Sequence, residues 1–172
     1  MTVENKRKMM GVLKPFDKME HDTYDSKGKL STMNFLNRKF EKYNLMTVEN
    51  PNKYGIDLLT LNTNNKVVHC WEIEVRYGNW RGDVEFPFRD INCIERKDYQ
   101  WRKEPEFVMK IPFELEEKYK VSYVQLNREC TRAVLIDGDV ILQYPLKQWA
   151  NRKADGEYVR QVPISKTVQV KF

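Results

Sequence analysis

The sequence lacks any long apolar run. Nowhere do about 18 apolar residues follow one another, the length that a membrane-spanning helix needs. The first residues, MTVENKRK, are mostly polar or charged and no apolar segment follows them, so we predict no signal peptide. We therefore expect a soluble protein of the cytoplasm with no membrane partner.

Cysteine, glycine and proline are also scarce. The three cysteines, Cys70, Cys93 and Cys130, are an odd number without a CxxC pair, which argues against a disulfide framework and against a zinc site. Seven glycines and seven prolines in 172 residues, with 41% hydrophobic residues, argue against disorder. We expect one domain over residues 1–172, long enough to bury a core.

Charge is spread unevenly along the chain, whose net charge is +5. Residues 1–53 carry 11 Lys and Arg against 7 Asp and Glu, residues 145–172 carry 6 against 2, and the middle carries 13 against 16. Basic flanks around a slightly acidic centre suit a protein that binds phosphates with cations and holds a metal ion with carboxylates. Many basic proteins bind no nucleic acid, so the pattern alone leaves the partner open.

Apolar spacing predicts two helices early in the chain. Ser31 is a suitable N-cap, and apolar residues follow it at intervals of three and four positions, namely Met33, Leu36, Phe40 and Tyr43. A shorter helix is predicted over residues 16–24. Residues 50–55 then have the composition of a turn-rich connection.

A β-hairpin is predicted next. Residues 56–61 and 67–76 have strand composition, and the polar segment between them suits a turn. Later, the sequence predicts short helices over 94–103 and 112–119, and strands over 121–126, 133–136, 140–142 and 167–171. This mixture predicts an α/β or α+β domain around one sheet.

The second strand of the hairpin contains the candidate catalytic residues. Side chains alternate between the faces of a strand, so Glu72, Glu74 and Arg76 share one face, while the other face is mostly apolar. If the hairpin turns at the polar segment, Asp57 lies opposite residues 70–72 and its carboxylate joins the same cluster. A solvated sheet face would show the same run of charges, so alternation alone leaves both interpretations open.

Three carboxylates in one cluster repel one another unless a cation lies among them. Hard divalent cations such as Mg²⁺ prefer oxygen ligands of this kind. Bound beside a scissile phosphate, such an ion polarises the phosphoryl oxygen and lowers the pKa of the attacking water. Arg76, two residues beyond the last carboxylate, would face the same phosphate and stabilise its developing charge.

Residues 55–57 (GID) followed by residues 71–76 (WEIEVR) resemble the PD-(D/E)XK nuclease superfamily. Its pattern is an aspartate that opens one strand and a Glu/Asp-x-Lys on the neighbouring strand. Asp57 precedes Glu72 by 15 positions and Glu74 by 17, which fits that pattern. The resemblance implies a restriction-endonuclease-like fold, with a mixed β-sheet flanked by helices, and hydrolysis of phosphodiester bonds in DNA with Mg²⁺ or Mn²⁺.

The match has two registers. In the first, Glu74-x-Arg76 is the E-x-K element, with Arg76 in place of lysine and Glu72 as an extra acid. In the second, Glu72-x-Glu74 is the element and Glu74 takes the lysine position, a variant found in some restriction enzymes. The family's proline before the aspartate is absent, since Ile56 stands there. Arginine cannot act as a base at neutral pH, so Arg76 would be an electrostatic stabiliser only.

The resemblance assigns further roles. The expected metal ligands are Asp57, Glu72 and Glu74. The superfamily often adds an acid from the preceding helix, for which we prefer Glu20 over Asp22 and Glu41. The chain also resembles short phage-encoded nucleases, which act in the host cytoplasm. Because many small members dimerise to cut two strands, we expect a homodimer.

Basic residues outside the motif are expected to contact DNA, namely Lys53, Arg81, Arg96 and Lys97. Arg96 and Lys97 follow the hairpin, where related nucleases present cations to DNA, although a solvated helix face has the same composition. Tyr77 and Trp80 could stack on bases or simply cap the end of the sheet. His69 falls on the apolar strand face, which favours a core histidine over a general base.

Two alternatives from other functional classes remain. The protein could keep the nuclease fold without activity and bind nucleic acid or serve assembly, and the arginine in place of lysine favours this. It could also be an unrelated α+β interaction module whose acidic strand is surface. A structure in which Asp57 lies far from Glu72 and Glu74 would establish the second alternative.

Overall fold

The computed structural model describes residues 17–149 and 157–172. Its first element is one long helix, α1 (Lys18–Phe40), where the sequence predicted two. Asp17 caps this helix, since its Oδ1 accepts the N–H of Glu20 at 3.1 Å. Ser31 lies inside the helix because the chain has already become helical after Asp17. Phe16, where the shorter helix was predicted to begin, lies outside the described residues.

Six strands form the main sheet. They are β1 (Met46–Glu49), β2 (Leu58–Leu61), β3 (Val67–Arg76), β5 (Leu115–Asn127), β6 (Arg132–Asp137) and β9 (Val168–Lys171), in the spatial order β1-β2-β3-β5-β6-β9. β3 and β5 run parallel, and the other neighbouring pairs run antiparallel. The predicted hairpin, the strands at 121–126 and 133–136, and the final edge strand are confirmed.

Three strands form a smaller antiparallel sheet in the order β4-β8-β7, namely β4 (Asp90–Ile94), β7 (Leu146–Gln148) and β8 (Tyr158–Pro163). Short helices lie between strands: α2 (Asp98–Trp101), α3 (Pro105–Val108) and α4 (Gly138–Ile141). Single 3₁₀ turns cover Glu41–Tyr43, Glu95–Lys97 and Ile164–Lys166. The fold is therefore mixed α/β, with two sheets flanked by helices rather than one sheet alone.

Two predicted elements are wrong. The segment 112–119 was predicted as a helix, but from Leu115 onward it belongs to β5. That strand pairs with β3 and β6, and these ladders outweigh the local helical pattern. The segment 140–142 was predicted as a strand, but it lies at the end of α4. Asp137 caps that helix, because its Oδ1 accepts the N–H of Asp139 at 3.4 Å.

Both faces of the main sheet are buried. α1 covers one face, where its buried Leu36 shares a core with Trp71, Ile73 and Val75 of β3. The opposite face shares a core with the smaller sheet and the short helices, including Ile91, Trp101, Tyr123, Val134 and Val162. The face of β3 that carries Glu72 and Glu74 therefore points toward the smaller sheet. No helix within the two described ranges is both long and apolar enough to cross a bilayer.

Candidate functional site

In the part of the chain that the structure describes, no strand pairs with β3 beyond Trp71 on the β2 side. β2 begins at Leu58, opposite Trp71, and beyond Trp71 β3 is paired on its β5 side. Asp57, the residue before β2, takes the place of the missing strand, because its Oδ2 accepts the N–H of Ile73 at 2.8 Å. This contact places Asp57 beside Glu72, where the hairpin register predicts it. Asp57 and Glu72 therefore lie side by side, and β3 is a largely buried strand rather than a solvated surface strand.

Lys97 is the direct ionic partner of Glu72. Its Nζ forms an ion pair with Glu72, and Gln100 Nε2 donates to the other oxygen of that carboxylate at 3.0 Å. Burial alone would lower the pKa of Lys97, but the negative charges of Glu72, Glu74 and Asp57 outweigh burial and raise it. Lys97 is therefore a charged ammonium that serves as the counter-ion of the cluster.

Lys29 of α1 is a second cation at the site. Its Nζ lies 3.0 Å from Asp57 Oδ1 and 3.0 Å from Asp25 Oδ2. Burial and the charge of Glu72 raise the pKa of Asp57 to about 7, although Lys29 and the Ile73 N–H both oppose this rise. Near neutral pH a further positive charge beside Asp57 would thus favour its ionised form.

Glu74 is held by β5. The hydroxyl of Tyr123 donates to Glu74 Oε2, and Gln125 Nε2 donates to the Tyr123 oxygen at 2.9 Å. Burial and the charge of Glu74 raise the pKa of Tyr123 well above its usual value, so the phenol keeps its proton and remains a donor. This chain of hydrogen bonds orients the Glu74 carboxylate.

Arg76 is linked to Glu74 through Gln125 and Tyr123 rather than by a direct ion pair with Glu72. It pairs with Asn127 at the end of β3, and four residues separate it from Glu72, about 13 Å along the strand. Its Nε donates to Gln125, and its guanidinium lies 5.4 Å and 5.6 Å from the ring centroids of Phe86 and Phe88. The cation in direct contact with Glu72 is Lys97, and the role predicted for Arg76 stays a prediction. Sequence reasoning had named Lys97 only as a DNA contact.

Glu20 lies away from the acids. It is nine residues before Lys29 in α1, about 13 Å along the helix axis. The helix carboxylate that approaches Asp57 is Asp25, through the shared contact with Lys29. Helical spacing is the signal that could have found it, because Asp25 and Lys29 are four residues apart and share one face of the helix.

The other predicted DNA contacts occupy different surroundings. Arg96 is exposed beside Lys97, and Arg81 is exposed in the loop after β3. Trp80 is buried, and its Nε1 donates to the carbonyl of Val84 at 3.0 Å, so it serves the core rather than a base-stacking surface. Tyr77 stacks on Tyr24 of α1, with ring centroids 4.8 Å apart.

His69 is a packed histidine rather than a general base. Its Nε2 lies 2.8 Å from Ser122 Oγ, and its ring stacks on Trp71 with the centroids 3.7 Å apart. Burial, with the charges of Lys120 and Lys103, lowers the pKa of His69 to about 3. The ring is therefore neutral at physiological pH, in agreement with the core position predicted from alternation.

The donor set suits a hard cation, but it does not form a ready metal centre. Within residues 17–149 and 157–172, no group of three or more His, Cys, Asp or Glu side chains comes together as a metal site would require. The Glu72 carboxylate is already paired with the Lys97 ammonium. A divalent ion that used Asp57 and Glu72 would take over the role of Lys97.

Comparison of the chain with protein-family models, with curated proteins and with solved structures finds no match.

Proposed function

We propose that this protein is a divalent-metal-dependent nuclease that hydrolyses phosphodiester bonds in DNA. The observation that carries the proposal is the Lys97–Glu72 ion pair with Asp57 next to it, where Asp57 Oδ2 accepts the N–H of Ile73. A site that keeps cationic and carboxylate groups together, partly shielded from water, can neutralise the charge that develops on a reacting phosphate. The basic flanks of the sequence supply cations for the rest of a polyanionic substrate.

The arrangement of elements supports a restriction-endonuclease-like fold. A helix precedes the first motif strand, the aspartate stands at the start of β2, and the paired acids lie on the neighbouring β3, as the resemblance implies. Of the two motif registers we favour Glu72-x-Glu74, because Glu72 lies beside Asp57 whereas Arg76 lies at the far end of the strand.

The residues would divide the chemistry as follows. Asp57 and Glu72 would hold Mg²⁺ or Mn²⁺, with Glu74 assisting, and the bound ion would polarise the phosphoryl oxygen and lower the pKa of the attacking water. Lys97, released from Glu72, would donate to a phosphate oxygen and stabilise its charge. Tyr123 would keep the Glu74 carboxylate in one orientation.

The test is cleavage of plasmid and linear DNA in Mg²⁺, Mn²⁺ or EDTA. The variants Asp57→Asn, Glu72→Gln and Lys97→Met should each lower the rate at least a hundredfold, because each removes a group that acts on the reacting phosphate. Glu117→Gln, at an exposed position of β5, is the matched control and should cut like the wild type. Cutting that survives both carboxylate substitutions would mean that the site is wrongly placed.

A second candidate function is nucleic-acid binding without cleavage. The observation in its favour is that each motif carboxylate already has a partner: Lys29 for Asp57, Lys97 for Glu72 and Tyr123 for Glu74. Each carboxylate therefore has its hydrogen-bonding or ionic partner without a metal ion. Wild-type protein that binds DNA but cuts nothing in either metal would establish this function.

The predicted homodimer has its own test. Two active sites are needed to cut both strands of a duplex in one encounter, so the proposed activity on duplex DNA is expected to go with a dimer. Sedimentation equilibrium with and without duplex DNA measures the stoichiometry. A monomer on DNA would limit the proposed activity to one strand at a time.

A further inference from the structure

A polar groove opens beside Asp57. It lies between Lys29 of α1 and the segment 49–57, which leads from the end of β1 to the start of β2, and its volume is about 300 Å³. This volume is at the lower limit for small-molecule sites. Lysine, asparagine and carboxylate side chains line much of the groove, so it suits a polar or ionic group rather than an apolar ligand.

The loop that forms one wall of the groove is braced by its own asparagines. Asn50 Nδ2 donates to the carbonyl of Lys110 at 3.2 Å, and Asn50 Oδ1 accepts the N–H of Asn52 at 3.0 Å. Asn52 Oδ1 in turn accepts the N–H of Tyr54 at 3.1 Å. A Cβ at Gly55 would lie 2.7 Å from the Lys110 carbonyl oxygen, so only glycine lets the loop pack this closely. A loop already held in one shape loses little conformational entropy when a ligand binds.

Lys53 is the exposed cation of this loop. Its Nζ lies 4.9 Å from the ring centroid of Tyr54, and both side chains are exposed. Lys29, on the opposite wall, is only about a quarter exposed and is shared between Asp25 and Asp57. The groove is therefore flanked by one exposed cation, Lys53, and one partly buried cation that is already paired, Lys29.

The charge of the groove depends on Asp57. The carboxylates of Glu49 and Asp57 also line it, so the two lysines carry no excess positive charge there. Lys29 pairs with both Asp25 and Asp57. If a bound cation neutralised Asp57, only Asp25 would still balance the charge of Lys29. The groove would then attract an anion. On this charge balance, the groove would bind an anion more strongly when a cation neutralises Asp57.

We propose that this groove binds the phosphodiester backbone of the substrate strand next to the scissile phosphate, with Lys53 and Lys29 as its cations. The inference rests on the proposed function, because Asp57 belongs both to the groove and to the acidic cluster. It makes the recognised group a phosphate that is not cleaved, and it places the strand across the loop of residues 50–55 rather than along the Arg76 end of β3.

The experiment compares two lysine variants in binding to a fluorescein-labelled DNA oligonucleotide. Anisotropy is measured in EDTA and in Ca²⁺, which takes oxygen ligands. Lys53→Gln should weaken binding about three- to fivefold in Ca²⁺ and lower the slope of log affinity against log salt by about one, as expected for one lost phosphate contact. Lys53→Arg should restore both.

Lys42→Gln is the matched control, because Lys42 Nζ also lies 4.9 Å from the ring of the next residue, Tyr43, but lies outside the groove. It should bind DNA like the wild type. Equal losses for the two variants, or no loss for Lys53→Gln, would overturn the proposal. Competition by a mononucleotide as effective as competition by the oligonucleotide would also overturn it, since the ligand would then be a free nucleotide.

The outcome is separable from that of the cleavage test. If Lys53→Gln weakens binding as expected but the wild type cuts nothing, the groove is a nucleic-acid subsite and only the hydrolytic proposal fails. If cleavage requires Asp57 and Glu72 but Lys53→Gln binds normally, the proposed function stands and the groove proposal fails.

Discussion

Arg160 of β8 and Asp98 of α2 form a buried ion pair that joins the smaller sheet to the candidate site. Arg160 Nη2 lies 2.8 Å from Asp98 Oδ2, and Arg160 Nε donates to both carboxylate oxygens, at 3.1 Å and 3.2 Å. Arg160 Nη1 also donates to the carbonyl of Tyr144. Asp98 directly follows Lys97 and is two residues before Gln100, so the pair anchors the turn that carries both partners of Glu72.

Breaking this ion pair should destabilise the protein strongly. Arg160→Met leaves the Asp98 charge buried without its main partner, and the free energy of unfolding should fall by about 3–5 kcal/mol. Urea denaturation measures it. Arg102→Met is the matched control, since Arg102 lies 3.7 Å from the same carboxylate but is half exposed, and it should cost less than about 1 kcal/mol. A double variant with Asp98→Asn should recover part of the loss, because no charge is then left alone.

Replacing Lys97 should make the protein more responsive to metal ions. In Lys97→Met the Glu72 carboxylate loses its counter-ion, so the melting temperature should fall in EDTA and rise again in Mn²⁺. At a metal concentration of about 100 times Kd the rescue amounts to roughly 2.7 kcal/mol. Lys103→Met, which removes a hydrogen bond to the Tyr119 carbonyl, is the control and should show no such rescue. If Mn²⁺ raised the melting temperature equally in the wild type, Lys97→Met and Lys103→Met, the result would contradict the idea that Lys97 occupies the place of a metal ion.

A methyl group at position 28 should push α1 away from β3. A Cβ on Gly28 would lie 2.6 Å from Val75 Cγ2, a distance at which the strand or the helix must shift. We expect Gly28→Ala to cost about 1–3 kcal/mol, although alanine in a helix interior normally gains up to about 1 kcal/mol over glycine. Ser26→Ala, at an exposed position of the same helix, should be neutral or slightly stabilising.

The cause of that cost can be checked with a double-mutant cycle measured by thermal denaturation. In a Val75→Ala background the clashing methyl group is absent, so Gly28→Ala should cost less than it does in the wild type. An equal cost in both backgrounds would mean that the close approach to Val75 is not its cause.

Stability should fall below neutral pH because His69 cannot be protonated in place. Burial lowers its pKa to about 3 in the folded protein, whereas an unfolded histidine titrates near 6.5. The unfolded chain therefore binds a proton that the folded chain does not, and His69 should cost about 2 kcal/mol of unfolding free energy between about pH 7 and pH 5. His69→Gln should remove this part of the pH dependence in urea titrations, and the exposed His21→Gln should not. If the unfolding free energies of His69→Gln and the wild type changed in parallel with pH, His69 would not be the cause of the pH dependence.

The hairpin was the most predictable part of the site. Alternation placed Glu72 and Glu74 on one face, and the short polar turn put Asp57 opposite residues 70–72. A bulge between Thr60 and Leu61 then sets the register that brings Asp57 beside Glu72. Both signals are local, since the residues involved lie within one hairpin. The long helix was misread because Ser31 has the composition of a cap, whereas Asp17 caps the chain earlier.

The cations of the site were not predictable in the same way. Lys97 lies 25 positions from Glu72 and reaches it from a 3₁₀ turn, and Lys29 reaches Asp57 from α1. The sequence offered Arg76 instead because it stands two residues beyond the last acid. A position along a strand determines which face a side chain takes, but it does not determine which residues of other elements pack against that face.

By itself, the sequence determined the alternation of β3, the acid pair, the aspartate at the start of the neighbouring strand and a mixed α/β composition. These follow from hydrophobic period and turn chemistry, which act over a few residues. The tertiary structure decided that β5 is a strand, that two sheets share the core, and that Lys97 is the direct ionic partner of Glu72. Those outcomes depend on strand pairing and burial between segments far apart in the chain. The free energies of these interactions cannot be read from a short stretch of sequence.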